Sequence, residues 1–322
     1  MSNLLATQIV NIRWEAPDIC SLTLRPLDHV LKATSIQAGA HIDLHLGKGI
    51  VRSYSLINPG DTQSYRIAVK LEPASRGGSR HVHQQLHIGQ SLEISQPRNH
   101  FSLDESAAHS VLVAGGIGIT PIFAMLQRLQ QLGKTVHLIY CARRRADAAF
   151  LNEIETLMAS HADGMSVQYC FADEGMAIPD LQALLAGHTA NTHFYCCGPA
   201  PMLDAFEQAC AALGHAHLHL ERFSPPEQAA PAASGSYTAM LKKSGLTLKV
   251  ETGQSLLDAI LDAGVTADFS CREGICGSCE TKVLCGEVEH RDFVLSKEEK
   301  AANRTMMLCV SACKSEYLEL DI

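Results

Sequence analysis

The chain reads as a multidomain protein: an antiparallel β-barrel, then an α/β doubly wound parallel sheet, then a small α+β tail. The sequence predicts this in three ways. Apolar residues alternate with period two from Ile9 to about His100. Continuous apolar runs take turns with amphipathic segments from Val111 to Phe223. A Cys-rich loop near the C-terminus lies between a hairpin and a closing strand. At 322 residues the chain is also too long for one ordinary core.

In the first segment "HIDLHL" alternates Ile42, Leu44 and Leu46, "YRIAVKL" alternates Tyr65, Ile67, Val69 and Leu71, and "SLEIS" gives Leu92 and Ile94. Short strands broken by Gly, Pro and Asn–Pro signals suit an antiparallel barrel, with one short helical turn around Arg80–Leu86. The texture changes at "VLVAGG", an apolar run expected of a strand buried on both faces. The helix after it has Thr120 as candidate cap, Pro121 at its first position and Gly133 at its end, with Ile122, Met125, Leu126 and Leu129 as its buried stripe. Strands "VHLIYC", "VQYCFA", "HFYCCG" and "HLHLERF" then alternate with helices at Ala148–Ser160, Asp180–Leu185 and Ala200–Leu213. That alternation requires a parallel sheet covered on both faces, with ligands at the carboxyl ends of its strands.

"SPPEQAAPAASGS" is rich in Pro, Ala and Ser, as an interdomain linker is. The boundaries expected are therefore residues 1–106 for the barrel, 107–223 for the α/β domain, 224–236 for the linker and 237–322 for the tail. The tail opens with a hairpin turning at Ser244–Gly245, continues with a helix from Ser255 to Ala263, and closes with "YLELDI".

A net charge of −8 with no basic stripe argues against nucleic acid as the main partner. No apolar run reaches membrane-spanning length, and the N-terminus has neither a charged region nor a cleavage site. Twelve Cys without a secretion signal point to a reducing compartment, the cytoplasm by default.

Two four-Cys sets can be drawn from the tail. Cys276 and Cys279 with Cys309 and Cys313 form two short-spaced pairs, as a structural zinc site requires. Cys271, Cys276, Cys279 and Cys309 instead give C-x4-C-x2-C and a distant fourth Cys, the [2Fe–2S] spacing. Gly274 and Gly277 let the loop turn its amides toward sulfur, small Ser270 and Ser278 leave room, and the zinc set leaves Cys271 unexplained. The iron–sulfur reading is favoured, with Cys285 and Cys313 as ordinary buried thiols.

Upstream, "RSYS" (Arg52, Ser53, Tyr54, Ser55) offers a phosphate partner, a stacking face and a hydroxyl for a flavin ring. "RGGSR" follows it, and Arg76, Gly77, Gly78 and Ser79 form a turn that presents amides to a phosphate. "AGGIGITP" occupies the first strand-to-helix turn of the sheet, where Gly115, Gly116 and Gly118 can meet a dinucleotide pyrophosphate. It departs from the Rossmann pattern in having Pro121 where the third Gly would stand. "HVHQQLH" resembles a metal box, but His81, His83 and His87 are better read as one face of a short helix.

"CREGICGSC" and the order of elements around it resemble plant-type ferredoxins, which implies a β-grasp tail. "GGxGxTP" and "CCGP" resemble the nicotinamide domain of the ferredoxin–NADP reductase superfamily. Over essentially its whole length the chain resembles the phthalate dioxygenase reductase family. That resemblance implies FMN as the flavin, with FAD the less favoured alternative, because members with a C-terminal ferredoxin domain are of the FMN type. It implies NADH as donor, with Arg143 contacting the cofactor. In "YCARRRAD", Arg144 and Arg145 could bind the 2′-phosphate of NADPH, while Asp147 favours ribose hydroxyls. It also implies that Cys197, Gly198 and Pro199 border the nicotinamide, that Ser55, Thr120 and Cys197 line the hydride-transfer site, and that Phe223 packs on the flavin. The chain would then take a hydride from NADH and pass single electrons to a separate terminal Rieske-type oxygenase. A cytochrome P450 acceptor and a non-enzymatic redox sensor are the other readings.

Overall fold

The computed structural model describes residues 4–27, 36–160, 164–175, 179–226 and 235–322. Most of the expected linker, residues 227–234, lies outside the described residues. The chain divides into two compact units, one of them Leu4–Phe223 and the other comprising Ser224–Ile322. Among the described residues no helix is long and apolar enough to cross a membrane.

The first unit begins with six strands, β1 (Leu5–Ala16), β2 (Ile19–Pro26), β3 (His41–His45), β4 (Val51–Ser55), β5 (Tyr65–Lys70) and β6 (Ser91–Ile94), with helix α1 (Gly78–Gln85) between the last two. They form an antiparallel sheet in the order β4-β3-β6-β1-β2-β5, which an antiparallel bridge from Leu56 to Ile67 closes into a barrel. Ile9, Leu22, Leu24, Ile42, Leu44, Tyr65, Ile67 and Ile94 fill the interior. His41 and Asp43, expected on the outer face, are buried as well. The segment after β6 covers them: Arg98 ion-pairs with Asp43 at 2.5 Å, and the Asp43 amide donates to Ser95 Oγ at 2.9 Å.

Next come β7 (His109–Gly115), α2 (Ile119–Gln131), β8 (Thr135–Ala142), α3 (Leu151–Ser160), β9 (Met165–Phe171), α4 (Leu181–Leu185), β10 (His193–Cys197), α5 (Ala200–Leu213) and β11 (Leu218–Glu221). All strand pairings are parallel, in the order β11-β10-β7-β8-β9. The winding therefore reverses between β7 and β10, where a doubly wound sheet opens its binding crevice.

Two features of this half depart from expectation. Helix α2 buries every residue from Ile119 to Leu126, not a single stripe, because the barrel covers its other side. Ala16, Ile19, Ile57 and Ala68 share one apolar cluster with Ile119, Ile122 and Phe123, and Gln127 donates to the Ile57 carbonyl at 2.7 Å. Helix α3 starts at Leu151, later than expected, because Ala148, Ala149 and Phe150 turn into the core, where Phe150 stacks on Phe123 at 4.9 Å.

The second unit holds β12 (Tyr237–Leu241), β13 (Leu246–Val250), α6 (Leu256–Asp262), β14 (Glu280–Cys285), β15 (Val288–Glu289), α7 (Lys297–Ala302), β16 (Thr305–Met307), β17 (Ala312–Cys313) and β18 (Tyr317–Leu320). The sheet order is β13-β12-β18-β14-β16, with the first and last long strands parallel, and α6 packs Leu256, Leu257 and Ile260 against Leu241, Leu318 and Leu320. This is a β-grasp ferredoxin fold. Cys285, expected to be buried, is exposed, since a register shift between Val283 and Cys285 turns it outward. Helix α7 is an element the sequence reading passed over. A capping box secures it, with Ser296 Oγ accepting from the Glu299 amide at 3.1 Å and the Glu299 carboxylate accepting from the Ser296 amide at 2.8 Å. Ser296→Ala is expected to cost this helix about 1 kcal/mol. Its amides should then exchange with solvent several-fold faster, which hydrogen exchange on the full chain measures.

Candidate active site and metal centre

At the reversal point the turns after β7 and β10 press together so closely that only glycine fits. A Cβ on Gly118 would lie 2.1 Å from the Cys197 carbonyl oxygen, one on Gly115 2.7 Å from Pro199 Cδ, and one on Gly198 3.2 Å from Gly115 Cα. Gly116 takes a φ of +54°. Thr120 does not cap α2 as expected: the 3₁₀ turn at Gly116–Gly118 feeds the helix two residues earlier, and Gly118 is the cap. Its buried hydroxyl instead donates to the Ile117 carbonyl at 3.0 Å, which braces the turn. Gly115, Gly116, Gly118, Thr120, Cys197, Gly198 and Pro199 are thus one assembly.

Ser55, at the end of β4, reaches the same place across the barrel–sheet junction. Its hydroxyl donates to Glu221 Oε2 at 3.5 Å, and Glu221 is the register partner of Cys197 on the neighbouring strand. The sequence reading did not single out Glu221. Burial of its carboxyl pushes the pKa up to about 8, against a weaker pull from Ser55. Burial likewise pushes the Cys197 thiol well up, with Glu221 adding to the effect. At neutral pH both groups are protonated. Cys196 points to the opposite face of the sheet and packs with Phe194, Leu203 and Phe206, as an ordinary core residue does.

Further along β4, the Arg52 guanidinium donates to the Val51 carbonyl at 2.7 Å and to the Arg76 carbonyl at 3.0 Å. It lies so near Gly78 that a Cβ there would meet Arg52 Cγ at 2.5 Å. Gly77 opens α1 in a left-handed conformation, and no side chain caps the helix. A guanidinium beside uncapped helix amides suits a phosphate. Ser53 and Ser79 turn elsewhere: the first donates to Asp43 at 2.5 Å and the second to Ser75 Oγ at 3.0 Å. Tyr54 packs against the barrel core. His83 faces the Val69 carbonyl at 2.9 Å, so the "HVHQQLH" helix is pinned to β5.

Beyond β8, Arg143 is exposed. Arg144 forms a bidentate pair with Asp147 at 2.6 and 2.9 Å, and Arg145 pairs with Glu174 at 2.6 and 3.2 Å. Both candidate 2′-phosphate ligands thus already hold carboxylates. Phe223 stands exposed two residues after Glu221.

In the second unit four thiols lie as neighbours, Cys276 and Cys309 beside Cys271 and Cys279 beside Cys309. The Glu273 amide donates to Cys271 Sγ at 3.3 Å, the Gly274 amide to Cys309, and Ser278 Oγ lies 3.2 Å from Cys276 Sγ. Gly274, at φ +71°, is pressed to within 2.7 Å of Val310 for any added Cβ. Cys313 is outside this group, on β17, with Ser315 Oγ at 3.2 Å. The neighbouring Cys271 thiol, then burial, holds the Cys276 thiol up. Sulfur donors ringed by backbone amides suit a binuclear iron–sulfur centre.

Residues 112–208 match the model of the oxidoreductase NAD-binding domain, and residues 240–314 match that of the 2Fe-2S iron-sulfur cluster binding domain. Phenoxybenzoate dioxygenase subunit beta of Ectopseudomonas oleovorans is 50% identical over 286 residues, which cover 88% of this chain and 87% of that one. Among solved structures, phthalate dioxygenase reductase aligns with a TM-score of 0.70 and 32% identity, covering 99% of this chain and 98% of that one. An intact type IV self-sufficient cytochrome P450 monooxygenase aligns with a TM-score of 0.88 and 38% identity; the match covers 99% of this chain but only 41% of that longer one. Fold and site together define a pyridine-nucleotide-dependent flavin and iron–sulfur oxidoreductase. The chain belongs to the phthalate dioxygenase reductase family.

Glu221 has a measurable consequence. Its folded-state pKa lies above its unfolded value, so the native state binds the extra proton and stability falls as pH rises toward about 8. Glu221→Gln is expected to match wild type near pH 5 and to gain on it at about pH 8 in urea midpoint. A difference that stays constant with pH would show that the carboxyl titrates normally.

Proposed function

We propose that this chain is the reductase component of a multicomponent Rieske-type oxygenase, oxidising NADH and delivering single electrons to a separate terminal oxygenase. The observation that carries this is the meeting of Ser55, Cys197 and Glu221 at the crevice of the nicotinamide sheet, in a chain that also holds a four-thiol loop. Bound FMN would supply the conversion between a two-electron hydride and single electrons. Arg52 and the amides around Gly77–Ser79 hold its phosphate, Ser55 lies by its reactive edge, and Phe223 covers its ring. Gly115, Gly116 and Gly118 admit the NADH pyrophosphate, while Thr120, Cys197, Gly198 and Pro199 shape the nicotinamide pocket. Cys271, Cys276, Cys279 and Cys309 ligate the [2Fe–2S] cluster. Glu221 and Cys197, both uncharged at neutral pH, leave the hydride path free of competing anions.

NADH is favoured over NADPH because Arg144 and Arg145 are already paired with Asp147 and Glu174, which leaves carboxylates facing the ribose end. None of the twelve cysteines forms a disulfide, which suits the cytoplasm. The likeness to a self-sufficient P450 supports a second reading, in which the acceptor is a haem monooxygenase.

Stopped-flow mixing with NADH tests the core of this reading: flavin bleaching followed by loss of cluster absorbance is expected, and an unchanged spectrum with either nicotinamide rejects it. Cys309→Ser is expected to leave flavin reduction intact while abolishing transfer to a one-electron acceptor such as cytochrome c, and Cys313→Ser to do neither; the reverse pattern rejects the ligand set. Asp147→Asn should release Arg144 and raise the NADPH-to-NADH ratio of kcat/KM roughly tenfold in steady-state assays.

A further inference from the structure

The segment from His290 to Phe293, which leaves β15, runs between the two halves of the thiol loop. On one side the Phe293 amide donates to the Gly274 carbonyl at 2.8 Å, and Asp292 Cα lies 3.2 Å from where a Gly274 Cβ would stand. On the other the Arg291 amide donates to Ser311 Oγ at 3.3 Å, and Glu289 pairs with Ala312. Gly274 stands between Cys271 and Cys276, and Ser311 two residues after Cys309, so this segment touches both arms that carry the sulfurs.

It also carries a buried pair that the fold does not use. The His290 side chain is 8% exposed and that of Asp292 0%, with Nδ1 and Oδ2 separated by 3.7 Å, too far for a direct hydrogen bond. Both imidazole nitrogens and Asp292 Oδ2 lack partners among the described residues. Asp292 Oδ1, by contrast, accepts from the Val294 and Leu295 amides at 3.1 and 2.8 Å. Unpaired polar atoms at such a depth point to a function outside the fold. The other charges facing the pair are Lys300 from α7, whose Nζ is 3.9 Å from Asp292 Oδ1, and Lys314 beyond β17, which is paired with Glu287. On the segment itself Arg291 is paired with Glu289, the last residue of β15. Burial holds the imidazole below its ordinary value, Asp292 opposes this, and the two lysines reinforce it. His290 is therefore neutral at pH 7 in the surroundings the fold gives it.

We propose that His290, set against Asp292, takes up one proton from solvent for each electron that reaches the thiol loop, so that the reduction potential of the centre depends on pH. The inference rests on the [2Fe–2S] reading of the loop. The electron comes from NADH by way of the flavin, the proton goes to an imidazole nitrogen, and the charge of the unit does not change. One added negative charge on a centre held by the two arms that this segment touches favours the imidazolium, so its pKa is higher in the reduced state than in the oxidised state. Between those two values the potential falls as pH rises, by about 59 mV for each tenfold change in proton activity. Above them it is level. His290 is a positioning residue for charge and touches no substrate.

Potentiometric titration of the full holoprotein, read by the electron paramagnetic resonance of the reduced centre from roughly pH 5 to 9, tests this. Wild type is expected to show the falling segment and then the plateau, and His290→Gln to be level throughout with the same resonance spectrum. A level wild-type profile, or a slope that persists in His290→Gln, overturns the proposal. Lys300→Met, which keeps His290 but removes a facing cation, is expected to move the falling segment to higher pH; an unmoved segment overturns it too, and this arm decides if His290→Gln fails to assemble the centre. Wild type without an iron–sulfur resonance would overturn the ligand assignment itself, an outcome distinct from a level profile with the spectrum intact.

Discussion

The first unit depends on one apolar junction. Helix α2 is buried on every side because the sheet holds one face and the barrel the other. Remove that shared packing and Ser55 has no reason to stand within reach of Glu221, a residue 166 positions away in the chain. The barrel brings Arg52 and Ser55 on one five-residue strand, β4, and the sheet brings its crevice. Neither holds the full assembly alone. The junction makes them one, through van der Waals contact and burial rather than through a strong polar bond.

The crevice shows the same economy at atomic scale. Its glycines serve two different ends. Gly116 supplies a left-handed turn, whereas Gly118 has an ordinary helical φ and is required only because the Cys197 carbonyl occupies the space of a side chain. Pro121 can stand where a Rossmann fold keeps its third glycine because the close approach has moved to Gly118. The backbone of two turns, not side chains, therefore forms the wall of the crevice. A backbone wall has no rotamers with which to change its shape.

Much of this was legible in the sequence, for identifiable reasons. Strand–helix alternation, the "RGGSR" turn and the "CREGICGSC" spacing are local patterns, and local patterns are fixed by backbone sterics and ligand geometry. The tight turns expected of the glycines within the loop were legible too, since the positive φ that Gly274 and Gly277 adopt is one that glycine takes at no steric cost. Helix α7 was also legible: Ser296 and Glu299 spell a capping box, but six residues give too little apolar period to draw notice. The start of α3 was not legible, because what delays it is Phe150 seeking Phe123, a contact made only after the chain has folded.

Glu221 marks the limit of such reading. In "HLHLERF" the polar residues His217, His219 and Glu221 alternate with leucine, the signature of a half-exposed edge strand, and nothing local separates the glutamate from its histidine neighbours. What separates it is the partner across each of two gaps: Cys197 beside it in the sheet and Ser55 from the barrel. The carboxyl has lost its water to these neighbours and to the protein around them, and so keeps its proton near neutral pH. A residue ordinary by sequence thus becomes exceptional by position. The same reasoning explains why a buried, nearly unpaired carboxyl is tolerated at all, since protonated it no longer carries the charge that makes burial so costly. Near neutral pH the acid at the crevice is therefore present in the form that adds no charge to it.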